Sequence, residues 1–186
     1  MTAYVSLFRG INVGGHHKIR MDELTDVHES LGFQDVVLYI QSGNVVFHSD
    51  GADAARLQRH IEEGFASRFG FHVEVFVRTS DELSDIIDRN PFQGQHSKES
   101  KWVVVMFLAA HPATAAQEDL LKTYVGPEEL FVIGQEVYVY YTNGIGRSKL
   151  SHSLIEKRLK TFGTARNWNT ILQLQRLTQR QFPATQ

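Results

Sequence analysis

An α+β fold of two similar halves is predicted by three features of the sequence. Short β-branched and aromatic runs alternate with helical runs whose apolar residues recur every three or four positions. The order of those runs in the first half, strand-helix-strand-strand-helix-strand and then a helix, is repeated in the second. A polar, glycine-bearing stretch at residues 93–100 separates the two halves.

Taken in order, residues 4–8 read as a short buried strand that runs into the glycine-rich segment 9–18. A helix is predicted over 21–31, where Leu24, Val27 and Leu31 share a face and Gly32 supplies the stop. Strands 36–41 and 45–48 flank Ser42-Gly43-Asn44, a hairpin signal. Residues 53–69 form a second helix, with Leu57, Ile61 and Phe65 four apart and Gly70 at its end. Phe71, Val73, Val75 and Val77 alternate as in a half-buried strand over 71–77. Thr79 and Glu82 have the spacing of a capping box for a short helix through Ile87, broken by Asn90-Pro91-Phe92.

The second half offers a strand at 102–109, a helix at 112–124, and strands 130–133 and 137–141 about Gly134-Gln135. A helix over 154–162, stopped by Gly163, leads to a last strand at 164–168 and a closing helix at 170–179. A parallel crossover needs a helix, and a central hairpin sets neighbouring strands antiparallel. Each half is therefore expected to close as a split β-α-β sandwich. The prediction is an α+β protein of two ferredoxin-like (βαββαβ, α-β plait) subdomains, each with an extra C-terminal helix. Their expected bounds are 1–92 and 101–186, with 93–100 as linker and a basic stretch at the end of the second.

Composition narrows the function classes. The 186 residues are 42 % hydrophobic and 22 % charged, close to the globular average. No cysteine is present, which excludes a disulfide framework, a thiolate zinc site and a cysteine nucleophile. The longest apolar run, 102–110, falls well short of the roughly 20 residues of a membrane helix. The N-terminal sequence lacks the basic-then-apolar layout of a signal peptide, so a cytoplasmic protein is expected.

The net charge of −2 conceals an asymmetry. Residues 1–97 carry 8 Lys and Arg against 14 Asp and Glu, and residues 98–186 carry 11 against 7. From Asn143 onward Glu156 is the single acid among eight cations. Such a block attracts anions. It serves either a ligand or the acidic first half of the same chain.

Four segments have residue types suited to binding. Arg9-Gly10-Ile11-Asn12-Val13-Gly14-Gly15-His16-His17-Lys18 follows a strand and precedes a helix, where backbone N–H groups cradle phosphate. Gly10 and Gly15 have P-loop spacing, but His16 and His17 stand where that motif requires Lys and Ser or Thr. The alternative is a connecting loop. Gln41 and Asn44 flank a tight turn and either present amides to a ligand or serve the turn itself. Arg147 and Lys149 bring two cations to the loop 141–150, the preferred anion site, the alternative being a flexible loop with solvated charges. Arg166, Asn167 and Trp168 offer charge, an N-cap and stacking, with the core as the first role of Trp168. The nine histidines include no i, i+4 pair of metalloprotease type, and hydrolase signatures fail as well. The sequence implies no metal and no cofactor.

Several of these blocks resemble the DUF1697 family of bacterial proteins. Leu7-Phe8-Arg9-Gly10-Ile11-Asn12-Val13-Gly14-Gly15 with Lys18 and Met21 is similar to its opening, and Ile40-Gln41-Ser42-Gly43-Asn44-Val45-Val46-Phe47 to a second block. Asn90-Pro91-Phe92 is similar to a third. Asn143-Gly144, Gly146-Arg147-Ser148-Lys149-Leu150 and the stretch Arg166-Asn167-Trp168-Asn169-Thr170 after Thr164 resemble its C-terminal blocks. His17 and Thr142 differ from commoner versions. The resemblance implies two ferredoxin-like subdomains and no established activity. The expected function is binding of a phosphate-bearing ligand, a small molecule or a nucleic acid. The alternatives are an enzyme acting on a small anionic metabolite, and a structural or protein-interaction module. Expected ligand contacts are Arg9, Asn12, Gly14, Gly15, Lys18, Gln41, Asn44, Arg147, Lys149, Arg166 and Asn167.

Overall fold

The computed structural model describes residues 1–14, 18–51, 53–96 and 98–180. Among them are six α-helices and two four-stranded antiparallel sheets, a mixed α+β architecture. The chain divides into two compact units, Met1–Asp85 with Gln173–Gln186, and Ile86–Leu172.

In the first unit the order is β1 (Thr2–Phe8), α1 (Met21–Ser30), β2 (Gln34–Tyr39), β3 (Asn44–Ser49), α2 (Ala54–Phe69) and β4 (Val75–Thr79). The sheet runs β2-β3-β1-β4, so the first strand ends up inside, paired to β3 and β4. Alternation along the strands puts Tyr4, Phe8, Val45, Phe47, Val75 and Val77 in one buried cluster with Leu24 of α1 and Leu57, Ile61 and Phe65 of α2. The stops are as the sequence predicts: Gly32 and Gly70 take φ of 82° and 76° after α1 and α2. The strand expected over 71–77 pairs only from Val75. Val73 is buried all the same, so alternation marked the apolar side but not the start of hydrogen bonding.

Helix α3 (Ser80–Asp88) begins with the predicted capping box. Thr79 N–H donates to Glu82 Oε2 at 2.8 Å, and Glu82 N–H donates to Thr79 Oγ1 at 3.1 Å.

One polar group sits deep in this unit. His28 of α1 is fully buried beside Phe8, Phe33 and Phe47. Its Nδ1 lies 2.9 Å from Leu24 O, an acceptor only, so Nδ1 carries the proton. Nε2 then accepts from Ser6 Oγ at 3.0 Å. Burial drives its pKa down from the ordinary 6.5 to about 4, so the imidazole is neutral.

The second unit repeats the plan with β5 (Val103–Leu108), α4 (Thr114–Thr123), β6 (Glu129–Ile133), β7 (Glu136–Tyr140), α5 (His152–Leu159) and β8 (Gly163–Asn167). Its sheet runs β6-β7-β5-β8, again with the first strand inside. Val104, Met106, Leu108, Val137 and Val139 pack with Leu120 of α4 and with Ile155 and Leu159 of α5. The closing helix α6 (Trp168–Thr178) follows β8 without a gap.

Gly163 was expected to stop α5; Lys160 does so instead, with φ of 56°. Gly163 lies in β8, opposite Leu108, where an added Cβ would come within 2.4 Å of Phe107 O. A glycine after a helical run signals a stop by default. Here it marks a close approach of two strands.

Candidate ligand-binding site

Strand register decides which motif segments meet. In the first unit Leu7 pairs with Asn44, so the end of β1 lies against the turn before β3. The loop leaving β1 is tied to that turn: Phe8 N–H donates to Gly43 O at 2.9 Å, and Asn12 Nδ2 donates to Gln41 O at 3.0 Å. Asn12, at φ 55°, also accepts from Ile19 N–H at 2.8 Å. Asn44 is buried, and its Nδ2 donates to Tyr39 O and Ser42 Oγ, each at 3.0 Å. The Asn12 amide therefore ties the two blocks together, while the Asn44 amide braces the turn before β3.

The remaining expected contacts of this unit divide. Arg9 is half-exposed, 3.7 Å from Glu74. Gly14 is exposed, and Gly15 lies outside the described residues, as do His16 and His17. Lys18 is exposed with no carboxylate partner among the described residues. A cleft of about 510 Å³ is bordered by Asn12, Lys18, Arg20, Asp22 and Gln41 at the start of α1. Arg20 is already engaged there, donating to Asp22 through Nε at 3.1 Å and also through Nη2. Asp22 also accepts from Glu23 N–H at 3.0 Å, where an anion would otherwise bind. Among the described residues, Lys18 is the one cation of that cleft without a carboxylate partner.

The second unit gathers more. Val103 pairs with Tyr140 and Val104 with Asn167, so Trp102, Tyr141 and Arg166-Asn167 come to the same end of the sheet. Tyr141 O–H donates to Leu150 O at 3.0 Å, closing the loop 141–150 on itself. Gly144, at φ 81°, packs so closely on the Trp102 indole that an added Cβ would lie 3.0 Å from the ring. Ser148 accepts from Leu150 N–H at 2.9 Å. Burial opposes a charge on Glu128, but hydrogen bonds from Ser148 and Tyr124 overcome it and hold the carboxyl below its ordinary pKa. The loop is thus internally braced. Its single-turn 3₁₀ helix, Ile145–Arg147, leaves Arg147 and Lys149 exposed, without a carboxylate partner among the described residues.

Ile145 of that loop forms a wall of a cavity of about 190 Å³, with Trp102, Tyr141, His152, Arg166 and Asn167 around it. Arg166 is buried, its Nη1 donating to Thr164 Oγ1 at 2.7 Å and to Ala165 O at 2.9 Å. Burial lowers its pKa to about 10, so it stays cationic at neutral pH. Asn167 is the N-cap of α6: its Oδ1 accepts from Asn169 N–H at 3.0 Å, and its Nδ2 donates to Lys101 O at 2.7 Å. Lys101 Nζ stands 5.2 Å from the Trp102 ring centroid.

Two cavity residues escaped the sequence reading. Trp102 looked like the start of an apolar strand, and His152 was one histidine among nine. Strand register brings Trp102 to the cavity, and His152 reaches it from the first residue of α5. Trp168, the aromatic residue expected beside Arg166, is buried and borders a separate groove with Phe92 and Lys98. No group of three metal-ligating side chains occurs among the described residues.

A family model described as "Protein of unknown function (DUF1697)" matches residues 1–138. The chain belongs to that family. The blocks at 143–150 and 164–170 lie beyond the matched stretch. No curated protein matches this DUF1697 chain. Among solved structures it is similar to the conserved bacterial protein SP0830 from Streptococcus pneumoniae. The TM-score is 0.73 at 24 % identity, over 96 % of this chain and 99 % of that one. That likeness shows the fold. No helix among the described residues is long and apolar enough to cross a membrane.

Proposed function

We propose that this DUF1697 protein binds a phosphate-bearing ligand of nucleotide type through the Ile86–Leu172 unit. The observation that supports the reading is the loop 141–150. It carries two exposed cations free of carboxylates among the described residues, and the same loop walls a cavity with aromatic sides. Arg147 suits a bidentate grip on phosphate and Lys149 a point charge beside it. Arg166 and Asn167 support the cavity rather than contact phosphate, because Arg166 Nη1 and Asn167 Nδ2 donate to protein oxygens. We also propose that each βαββαβ pattern is a ferredoxin-like subdomain, 1–92 and 101–186 about 93–100, and that the protein is cytoplasmic.

A second reading, a structural or protein-interaction module, draws support from Asn12, Asn44 and Asn167, whose amides serve turns and a helix cap. Titration with nucleoside 5′-phosphates and labelled oligonucleotides at two salt concentrations separates the two. Binding is expected to weaken steeply with salt. Replacing both Arg147 and Lys149 by Ala is expected to lower affinity roughly tenfold, about 1.4 kcal/mol. Absence of binding at low salt would leave the module reading.

A further inference from the structure

We propose that the outer edge of β6 pairs with the same edge of a second copy of this chain, joining two sheets of the Ile86–Leu172 unit into one. This inference is independent of the ligand reading. Strand β6 is hydrogen-bonded to β7 on one side and to no strand on the other. Its ladder to β7 runs without a register shift, and the two-residue turn Gly134-Gln135 closes it on the pair Ile133–Glu136. Hydrogen-bonded pairs alternate along an antiparallel ladder from that closing pair. Phe131 and Glu129 therefore bond to β7, and the N–H and C=O groups of Leu130 and Val132 turn to the free edge.

An open edge is a template for another strand, and natural sheets block it with bulges and charges. The other three outer strands carry such devices. In β2 the register shifts between Gln34 and Val37, with Asp35 at φ 50°. On β4, Arg78 Nη1 donates to Val77 O at 3.0 Å, and on β8, Arg166 Nη1 donates to Ala165 O at 2.9 Å. Each of those strands thus has a carbonyl covered by its own arginine. Strand β6 reads Glu-Leu-Phe-Val-Ile, with no bulge and no proline. Its one charge, Glu129, is paired to Lys98, whose ammonium lies 4.5 Å from the Tyr140 ring centroid. Phe131 is exposed, as are Leu121 and Val125 on the helix and turn that lead into the strand.

Self-complementarity selects a second copy as the occupant. Antiparallel pairing about a two-fold axis at Phe131 sets Leu130 of each copy opposite Val132 of the other, and each of these pairs exchanges two hydrogen bonds. Phe131 then meets Phe131 of the second copy at the closely spaced, non-hydrogen-bonded position, where aromatic pairs are favourable. Glu129 falls opposite Ile133, so no acid of the strand faces an acid, and Lys98 balances Glu129 within each copy. The contact is closed and yields a dimer, not a fibre.

Sedimentation equilibrium of the full chain over a range of micromolar concentrations reads the mass, and amide hydrogen exchange at the two extremes reads the place. The mass is expected to rise from one chain towards two, with the Leu130 and Val132 amides gaining protection as it does. The Phe131 amide, bonded to β7, is expected to be protected throughout. Val132→Pro removes a donor that β7 does not use, and is expected to raise the dissociation constant at least about tenfold. Phe131→Lys, which places like charges opposite each other, is expected to do the same if the proline variant folds poorly. A wild-type chain that stays monomeric at every concentration would overturn the inference, whether or not it captures extended peptides. So would a dimer in which the Leu130 and Val132 amides exchange as fast as in the monomer.

Discussion

Lowering the pH from 7 to 4 is expected to remove about 3 kcal/mol of stability through His28 alone. Its folded pKa of about 4 lies below the unfolded 6.5, so between those values the unfolded chain binds the extra proton. The contribution is complete above pH 6.5 and is lost as the pH falls through 4. A gap of that size corresponds to about 3 kcal/mol, since each pKa unit is 1.36 kcal/mol. The cause is burial among aromatic rings: desolvation disfavours the imidazolium and outweighs the hydrogen bond to Leu24 O, which favours it. Protonation would place a positive charge among aromatic rings, out of reach of water. Urea unfolding of the wild type and of His28→Gln at pH 7, 6, 5 and 4 reads the effect. The acid limb should be shallower in the variant, and identical limbs would contradict the assignment. Carboxylates elsewhere contribute equally to both curves and cancel.

Gly43→Ala is expected to destabilise the first unit by about 3 kcal/mol or more. Gly43 has φ of 72°, where a Cβ costs roughly 1–2 kcal/mol. The new methyl would also stand 2.5 Å from Ile11 Cδ1 and 2.8 Å from Phe8 Cβ, both in the core. Overpacking of that kind adds about 1–3 kcal/mol. Gly10→Ala is the control. It has nearly the same φ, 73°, with open space around the added methyl, and should lose only the conformational part, about 1–2 kcal/mol. Equal losses from the two substitutions, measured as urea midpoints at constant m, would remove the clash from the account.

The pair also shows what was legible in the sequence. Hydrophobic period and glycine stops carried the element order, because period and φ > 0 are local properties. The Thr79–Glu82 capping box was readable for the same reason. Gly163 was misread because its constraint is the Phe107 carbonyl, 56 residues away in sequence. Candidate site residues fared unevenly by the same logic. Asn12, Asn44 and Asn167 looked like ligand contacts because turns and ligands favour the same amides. Which use prevails depends on whether a protein oxygen lies in reach. Trp102 and His152 had no local signature: Trp102 becomes visible when β5, β7 and β8 are placed side by side, and His152 only when α5 is placed beside them.

The most direct measurement is a backbone and side-chain chemical-shift map of the ¹⁵N-labelled protein on adding a nucleoside 5′-monophosphate. The largest changes should fall on Ile145, Arg147 and Lys149 and on the Trp102 and His152 side chains. Changes centred instead on Asn12, Lys18 and Gln41 would move the site to the other unit and contradict the account.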